Sequence, residues 1–426
     1  MNTILENKKM STLQYVIMVL CFMANMCDGM DVMIVSYAAK AISADWNVPP
    51  KEFGIVFSAG LVSMAIGAIF LAPLADKIGR KKTVIISLIT MGISSIATGF
   101  APSLPFLVVA RLVTGLGVGC LLACISALAS EYSSKKMKTF WVSFVMAGYP
   151  AGAILSGFVA NHLISTYGWH SLFIFAGVVT LLMIPLIVLF LRESLDFLVK
   201  KQPEFALNKI NKILTAIDAE PISVLPPKAI PSTKSSVSGL FSKELKTSTL
   251  TLWFAFFLSF GSFYFLTSWI PKLASDFGMS DSLAIYAGLI FNVGSLMGIV
   301  FQGYLSTRFD IRKVIAVFLV MTFLLMITFN YVHGSMAMLI LFGCIGFTIQ
   351  GGFIGFYAVG ASLYDTVIRS TGIGWAIGMG RFGAILGPLL GGFLISNHIP
   401  THINFIIFAI PCLIAGIITL FIRLKK

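Results

Sequence analysis

Long apolar runs separated by short polar connections dominate the pattern of the chain. Each run holds about 20 or more residues with few charges, the length an α-helix needs to cross the hydrocarbon core of a bilayer. The predicted spans, numbered 1 to 12 in chain order, are residues 15–42, 53–75, 83–101, 104–130, 140–165, 171–191, 250–274, 282–306, 314–332, 335–363, 370–396 and 403–422. The pattern therefore predicts an all-α polytopic membrane protein with twelve transmembrane helices.

One long polar segment, residues 193–248, divides the spans into two sets of six. Its first part, residues 205–217, places apolar residues among lysines and predicts an amphipathic helix on the inner membrane surface. Its second part, residues 220–238, is rich in Pro and Ser and is typical of a linker. The predicted domains are an N-terminal tail (1–14), a six-helix bundle (15–192), this linker (193–248), a second bundle (249–423) and a C-terminal tail (424–426).

Composition and charge agree with this pattern. The 426 residues are 58% hydrophobic and 11% charged, whereas soluble proteins are about 25% charged, so a soluble enzyme is excluded as the default. The net charge is +13, which on a soluble chain would suggest nucleic-acid binding. The positions of the basic residues along the chain decide whether the net charge indicates nucleic-acid binding.

Of the 30 Lys and Arg residues, 25 fall in the N-terminus, the loops after even-numbered spans and the C-terminus. Three (Lys40, Lys51 and Lys272) fall on the opposite side, and Arg111 and Arg381 lie within spans. The positive-inside rule then predicts a multi-pass protein with both termini in the cytoplasm. The net charge reports topology, and no nucleic-acid partner is expected.

An internal repeat relates the two halves at an offset of 231 residues. The run Gly-Ala-Ile-Leu at 152–155 recurs at 383–386, and the basic pair at 81–82 recurs at 312–313. The matches keep one register across spans and loops, which indicates two pseudo-symmetric six-helix bundles.

The loop after span 2 reads Ala-Pro-Leu-Ala-Asp-Lys-Ile-Gly-Arg-Lys-Lys from residue 72 to 82. Asp76 and Arg80 lie about one helical turn apart and can pair with each other or with a neighbouring helix terminus, forming a latch. The alternative is a tight basic turn that only sets topology. The second copy has Thr307 in place of the acid and Asp310 in place of the glycine, so a symmetric latch is not expected there.

Four charged residues lie within the spans. Asp28 and Asp31 are three residues apart in span 1, and an ionised acid at that depth costs at least about 2.5 kcal/mol, so both are candidates for proton coupling. The alternative is a structural cap or pair at a helix break by Gly29. Arg111 in span 4 is predicted to hold a nearby Asp ionised, unless it extends to the membrane surface. Arg381 in span 11 suits a carboxylate, unless backbone carbonyls satisfy it.

Several motifs resemble a known family. They are Asp-Gly-Met-Asp at 28–31, Ser-Ala-Gly-Leu at 58–61 with Leu-Ala-Pro-Leu-Ala-Asp at 71–76, Arg-Leu-Val-Thr-Gly-Leu-Gly at 111–117, Gly-Tyr-Pro-Ala-Gly at 148–152, Arg-Glu-Ser at 192–194, and Arg-Ser-Thr-Gly-Ile-Gly-Trp at 369–375 leading to Gly380 and Arg381. Together they resemble the aromatic acid:proton symporters of the major facilitator superfamily. The first loop departs from the family pattern in beginning with Ala72 instead of Gly.

The resemblance implies roles for particular residues. It implies that Asp28, Asp31 and Arg111 serve proton coupling and that Arg381 binds substrate. It also implies gating by the loop residues Asp76, Gly79 and Arg80, and by Glu131 and Arg369. Aromatic side chains can stack against a benzenoid ring. The aromatic candidates for substrate binding are Tyr264, Phe291, Tyr357 and Trp375.

With this resemblance, the sequence predicts a proton-coupled importer of a small aromatic carboxylate. It is expected to work as a monomer in the lipid bilayer of a bacterial inner membrane, without cofactor or metal. The nearest alternatives are a proton antiporter exporting organic anions or drugs, and an importer of another carboxylate such as nicotinate. A transporter-like receptor would need a folded cytoplasmic domain, for which the linker is too short. An enzyme is not expected, because no paired metal ligands, Ser/His/Asp set or phosphate-binding loop is evident.

Overall fold

A computed structural model of the chain describes residues 10–133, 138–225, 237–364 and 368–424. Within these ranges, twelve helices are long and apolar enough to cross a membrane. They are Thr12–Trp46, Pro50–Ile78, Arg80–Gly99, Leu104–Tyr132, Phe140–Tyr167, Trp169–Phe190, Lys246–Asp276, Asp281–Leu305, Ile311–Thr328, Ser335–Gly360, Gly372–Ser396 and Thr401–Thr419. The helix of span 10 continues to Leu363, and that of span 11 begins at Arg369. The predicted twelve-helix fold is confirmed.

Two spans are not regular helices. Span 2 passes from α-helix into a π-helical turn at Gly67–Leu71 and a 3-10 turn at Ala72–Leu74. Span 5 consists of Lys138–Met146 and Gly148–Tyr167. Its break, at Ala147, lies three residues before Pro150. A proline ring clashes with the preceding turn of a helix, and its missing N–H removes a helix hydrogen bond. The apolar pattern predicted both as single continuous helices, because hydropathy does not register such local changes.

Close helix contacts repeat at the same offset of 231 residues as the sequence motifs. A Cβ added to Gly67 in span 2 would overlap the carbonyl of Leu116 in span 4, and one added to Gly298 in span 8 would overlap that of Phe347 in span 10. The same relation links Gly152 with the Met26 carbonyl and Gly383 with the Phe257 carbonyl. Small residues let helix backbones approach closely in membranes. The internal repeat therefore extends to packing.

The chain forms two compact units. The first contains the chain up to Asp31, Ser63–Gly152 and Phe173–Ser232. The second contains Val32–Val62, Ala153–Leu172 and the remainder after Ser232. The second unit thus combines parts of spans 1, 2, 5 and 6 with all of spans 7 to 12, and the predicted domain boundaries at 192 and 249 stay a prediction.

Two short helices follow span 6 in the first unit, at Leu195–Lys201 and Ala206–Ala216. The second of them is the predicted amphipathic helix. Its apolar residues Ile210, Ile213 and Leu214 are buried in protein, and Phe205 before it is 66% exposed. The apolar face therefore packs against the chain, and the placement of this helix on the inner membrane surface stays a prediction.

Candidate functional site

The first unit brings Asp31 and Arg111 together. The Nη1 atom of Arg111 donates to both carboxylate oxygens of Asp31 at 3.1 Å. Asp31 is 7% exposed and Arg111 is 3% exposed. A buried pair of this kind persists only when its geometry repays the desolvation of both charges. Arg111 does not extend to the membrane surface, so that alternative is wrong.

Hydroxyl groups hold the other end of the Arg111 guanidinium. Its Nη2 atom donates to Thr98 Oγ1 at 3.1 Å and to Thr114 Oγ1 at 3.2 Å. Thr114 in turn donates to Ser94 Oγ at 3.0 Å, and the Phe173 ring lies 5.4 Å from the guanidinium carbon. The arginine is thus fixed by neutral groups as well as by Asp31.

Span 1 is a continuous helix from Thr12 to Trp46, so the predicted alternative of a helix break at Gly29 is wrong. Gly29 instead allows close packing, because an added Cβ would overlap the Tyr149 carbonyl in span 5. Asp28 is 1% exposed and precedes Asp31 by one turn on the same helix. Both acids therefore lie in a buried part of span 1.

The second unit places Arg381 against span 7. Its Nη1 atom donates to the hydroxyl of Tyr264 at 3.2 Å, and its guanidinium carbon lies 5.7 Å from the centre of the Phe260 ring. Gly383, two residues along span 11, has no room for a side chain against the Phe257 carbonyl. Close packing of spans 7 and 11 brings the arginine within reach of these rings.

Aromatic rings surround this arginine site. Phe353 of span 10 packs edge-on against Phe260 at 4.5 Å and face-to-face with Phe263 at 5.6 Å. Phe291 stacks on Phe263 at 6.3 Å, and Tyr357 meets Phe353 at 5.9 Å. The predicted residues Tyr264, Phe291 and Tyr357 therefore belong to one cluster of rings that also includes the arginine.

Trp375 differs from the other predicted aromatic residues. It is 47% exposed and stacks on Trp253 at 5.7 Å. It lies six residues before Arg381, nearer the beginning of span 11. The structure does not bring it into the ring cluster.

The loop after span 2 makes its latch contacts with a neighbouring helix end, which is one of the two arrangements predicted for it. Arg80 forms an ion pair with Glu131 at the end of span 4. The Glu193 carboxylate accepts hydrogen bonds from the backbone N–H groups of Arg80 at 2.8 Å and Lys81 at 3.1 Å. Asp76 is exposed and forms no ion pair within the described part of the chain. Pairing of Asp76 with Arg80 is therefore not observed here.

Further contacts tie the latch together. The Ser194 hydroxyl donates to Glu131 at 2.6 Å, and the hydroxyl of Tyr132 donates to the Glu193 carbonyl. The carboxylate of Glu193 caps the beginning of span 3, where unpaired N–H groups favour negative charge. The Arg369 side chain, predicted to take part in gating, lies outside the described residues.

Gly79 is required by this arrangement. Its φ is +101°, a region that is costly for other residues, and an added Cβ would overlap Glu193 Oε2. We expect Gly79→Ala to lower the free energy of unfolding by about 1–3 kcal/mol. The measurement is the thermal midpoint of the purified protein in detergent.

Gly374→Ala is the matched control. An added Cβ at Gly374 of span 11 meets no atom within 4 Å, and alanine in a helix is about 0.5–1 kcal/mol better than glycine. Its midpoint should equal or exceed that of the wild type. Equal midpoints for Gly79→Ala and the wild type would contradict the argument.

The second loop forms a local structure in place of a latch. Asp310 caps the N-terminus of span 9 by accepting from the Arg312 N–H at 2.9 Å and pairs with the Arg312 guanidinium. Arg312 also donates to the Ile422 carbonyl at 2.8 Å. The hydrogen bonds from Arg312 hold the pKa of Asp310 at about 2. The expectation that this loop lacks a copy of the first latch agrees with these contacts.

This pKa predicts a pH dependence of stability. In the unfolded chain, the pKa of an Asp carboxyl is about 3.9. The stabilisation by Asp310 is therefore complete at pH values well above about 3.9 and is lost as the pH falls through about 2. The difference in thermal midpoint between wild type and Asp310→Asn should be constant from about pH 8 to pH 5 and fall to about half near pH 3. A difference that persists unchanged to pH 3 would refute the assignment.

Several residues of these sites were not predicted from sequence. Thr114 follows Arg111 by three residues, so the two share a face of span 4. Ser94 and Thr98 are four residues apart and share a face of span 3, so helical spacing could have indicated a polar group around Arg111. Glu193 lay in a recognised motif without a role, and Phe353 carried no signal beyond being aromatic. No three His, Cys, Asp or Glu side chains converge to hold a metal ion in the described ranges.

Comparison with known proteins identifies the family. A family model described as Major Facilitator Superfamily matches residues 21–364 and 252–426. The chain is a member of this superfamily. It is accordingly a multi-pass membrane transporter, and the predicted family resemblance is confirmed.

Three characterised transporters are similar over nearly the whole chain. The benzoate transport protein of Acinetobacter baylyi is 30% identical, covering 99% of this chain and 92% of the relative. The 4-hydroxybenzoate transporter PcaK of the same organism is 31% identical, covering 93% and 88%. The transporter of that name from Pseudomonas putida is 33% identical, covering 92% and 88%. The names of these relatives refer to aromatic acids, in agreement with the aromatic-acid part of the resemblance.

Among solved structures, the xylose transporter XylE from Escherichia coli, in an inward open conformation, aligns with a TM-score of 0.77. The alignment covers 97% of each chain at 16% sequence identity. This similarity supports the major facilitator fold.

Proposed function

We propose that the protein is a monomeric, proton-coupled importer of small aromatic carboxylates in a bacterial inner membrane. The observation that carries the substrate class is the Arg381 guanidinium, hydrogen-bonded to Tyr264 and surrounded by aromatic rings. A guanidinium binds a carboxylate through paired charge-assisted hydrogen bonds, and rings pack against a benzenoid face. Similarity to transporters named for benzoate and 4-hydroxybenzoate supports the same class.

Proton coupling is assigned to Asp31, with Arg111 as its partner and Asp28 beside it. Protonation of Asp31 removes the negative half of the buried pair. Arg111 then keeps its hydrogen bonds to Thr98 and Thr114, so the arginine stays in place without its carboxylate. Protonation therefore leaves the buried Arg111 charge with hydrogen bonds but no counterion, which favours later loss of the proton and return of the ion pair.

Energetics favour coupling to one proton. Moving a carboxylate into a cell that is negative inside costs about 2.3 kcal/mol per 100 mV. One proton carried with each carboxylate makes the cycle electroneutral and leaves the pH gradient as the driving force. In the proposed cycle, Asp31 is protonated from outside, Arg381 binds the carboxylate, the conformation changes, and both are released to the cytoplasm.

Gating is assigned to the inner loop formed by Asp76, Gly79 and Arg80, with Glu131 as the partner of Arg80. An ion pair between a loop and a helix end is a contact that two conformations can make and break. Arg369 keeps its predicted gating role as part of this proposal.

Uptake of labelled aromatic acids into proteoliposomes tests the proposal. An inward proton gradient should drive accumulation, and a protonophore should abolish it. Accumulation that persists after the gradient is collapsed would rule out proton coupling. Tracer that moves only outward when protons enter would instead favour the alternative of an antiporter.

A further inference from the structure

Two buried polar atoms of the second unit accept or donate no hydrogen bond within the described part of the chain. They are Oε1 of Gln350 in span 10 and Oγ1 of Thr267 in span 7. Their residues are 6% and 1% exposed. Buried polar groups in native proteins are nearly always paired, so an unpaired one calls for a ligand or another explanation.

Both atoms belong to the ring cluster beside Arg381. Gln350 precedes Phe353 by three residues and Tyr357 by seven, so the three share one face of span 10. Rings on that face contact span 7, since Phe353 packs on Phe260 and Phe263. Gln350 is therefore on the face of span 10 that packs against span 7.

Thr267 lies on the matching face of span 7. It follows Phe263 by four residues and Tyr264 by three, which places it one turn beyond both. Spans 7 and 10 run antiparallel, because Phe256 meets Tyr357 whereas Phe260 meets Phe353. Along the helix axes, Gln350 and Thr267 consequently lie on the same side of the stacked Phe263–Phe353 pair.

Arg381 contacts span 7 at residues that precede Thr267. Its guanidinium faces Phe260 and donates to the Tyr264 hydroxyl, and the seven residues from Phe260 to Thr267 rise by about 10 Å. Along the axis, the cation therefore lies beside the ring cluster, and the two polar atoms lie beyond it. An aromatic ring with a carboxylate at one end and a polar substituent at the other has the same order of groups.

We propose that Gln350 and Thr267 recognise a ring hydroxyl, so that the preferred substrate is a hydroxylated aromatic carboxylate. This inference rests on the proposed function. The ring hydroxyl would donate to Gln350 Oε1 and accept from Thr267 Oγ1. An unsubstituted ring would leave both atoms unpaired, and sites that pair with a substrate hydroxyl discriminate strongly against analogues lacking it.

The test compares uptake of labelled 4-hydroxybenzoate and benzoate in proteoliposomes. The wild type should show a Vmax/KM for 4-hydroxybenzoate at least about tenfold above that for benzoate. Gln350→Met, which keeps length and removes the acceptor, should lower this ratio about tenfold. Thr267→Val should also lower the ratio of Vmax/KM for 4-hydroxybenzoate to that for benzoate.

Gln302→Met is the matched control. Gln302 is a buried glutamine of span 8 whose side chain donates to Ser306 at 2.8 Å, and the ratio should remain that of the wild type. A wild-type preference for benzoate, or an unchanged ratio in Gln350→Met, would overturn the inference while leaving aromatic-acid transport intact. Wild-type protein that takes up no aromatic acid would refute the proposed function itself.

A second variant covers the case in which Gln350→Met does not fold. Gln350→Asn keeps the amide and shortens the side chain, so it should also lower the ratio. Folding of each variant is checked by its elution volume and thermal midpoint in detergent. An Asn variant that folds and keeps the wild-type ratio would count against the inference.

Discussion

Replacing Arg111 by glutamine is expected to destabilise the protein by about 3 kcal/mol and to reduce uptake to the level of empty vesicles. The change leaves Asp31 buried without its cation, in a place where an unpaired charge is costly. The thermal midpoint in detergent and proton-driven uptake in proteoliposomes measure the two effects. A variant with wild-type midpoint and uptake would contradict the assigned pair.

The double variant Asp31→Asn with Arg111→Gln separates stability from coupling. Two neutral amides remove both buried charges, so stability should recover relative to Arg111→Gln. Uptake should stay absent, because Asp31, the carboxyl assigned to take up the proton, is no longer present.

Lys40→Gln provides a comparison for a broken ion pair. Lys40 pairs with Asp281 at 2.5 Å, but the two side chains are 50% and 74% exposed. Such a pair contributes at most about 1 kcal/mol. The difference in destabilisation between Arg111→Gln and Lys40→Gln therefore measures how burial changes the contribution of an ion pair to stability.

Arg381→Lys is expected to lower Vmax/KM for aromatic acids by about 10- to 100-fold although it keeps the positive charge. A lysine has one compact ammonium, so it cannot offer the paired donors of a guanidinium to a carboxylate. Hydrogen bonds to charged groups contribute about 1.5–3 kcal/mol each, and about 1.4 kcal/mol corresponds to a factor of ten. The measurement is the concentration dependence of uptake.

Tyr264→Phe should have a smaller effect in the same direction, because it removes one hydrogen bond that orients Arg381. Arg308→Lys is the matched control: Arg308 lies just after the C-terminal end of span 8, with its guanidinium 4.8 Å from the Tyr304 ring. Its uptake should match that of the wild type. If Arg381→Lys also matched the wild type, substrate binding by this guanidinium would be excluded.

Much of the fold was predictable because it depends on additive properties of short segments. The length and hydropathy of each apolar run predicted twelve spans, and all twelve are present. The offset of 231 residues predicted the repeat, and the contacts of Gly152 and Gly383 follow it. The π-turn in span 2 and the break in span 5 were missed because both depend on local backbone geometry.

The sequence predicted which charged residues form the candidate sites, but it predicted only some of the contacts that these residues make. Asp31, Arg111 and Arg381 stood out because charges are rare within apolar spans. The partners Thr98 and Thr114 did not, because they are ordinary residues of membrane helices. Arg80 pairs with Glu131, 51 positions away, instead of with Asp76 in its own loop. Sequence spacing favours local partners, whereas helix packing brings distant ones closer.

The sequence by itself determined the number of spans, the predicted orientation and the few buried charges on which the proposed function depends. These follow from the free energy of placing each segment in a bilayer, which is nearly independent of the other segments. Only the tertiary structure decided that Asp31 meets Arg111, 80 residues away, and that Arg381 meets Tyr264, 117 residues away. Such pairs depend on the rotation and close approach of whole helices, which the packing of many small side chains fixes together.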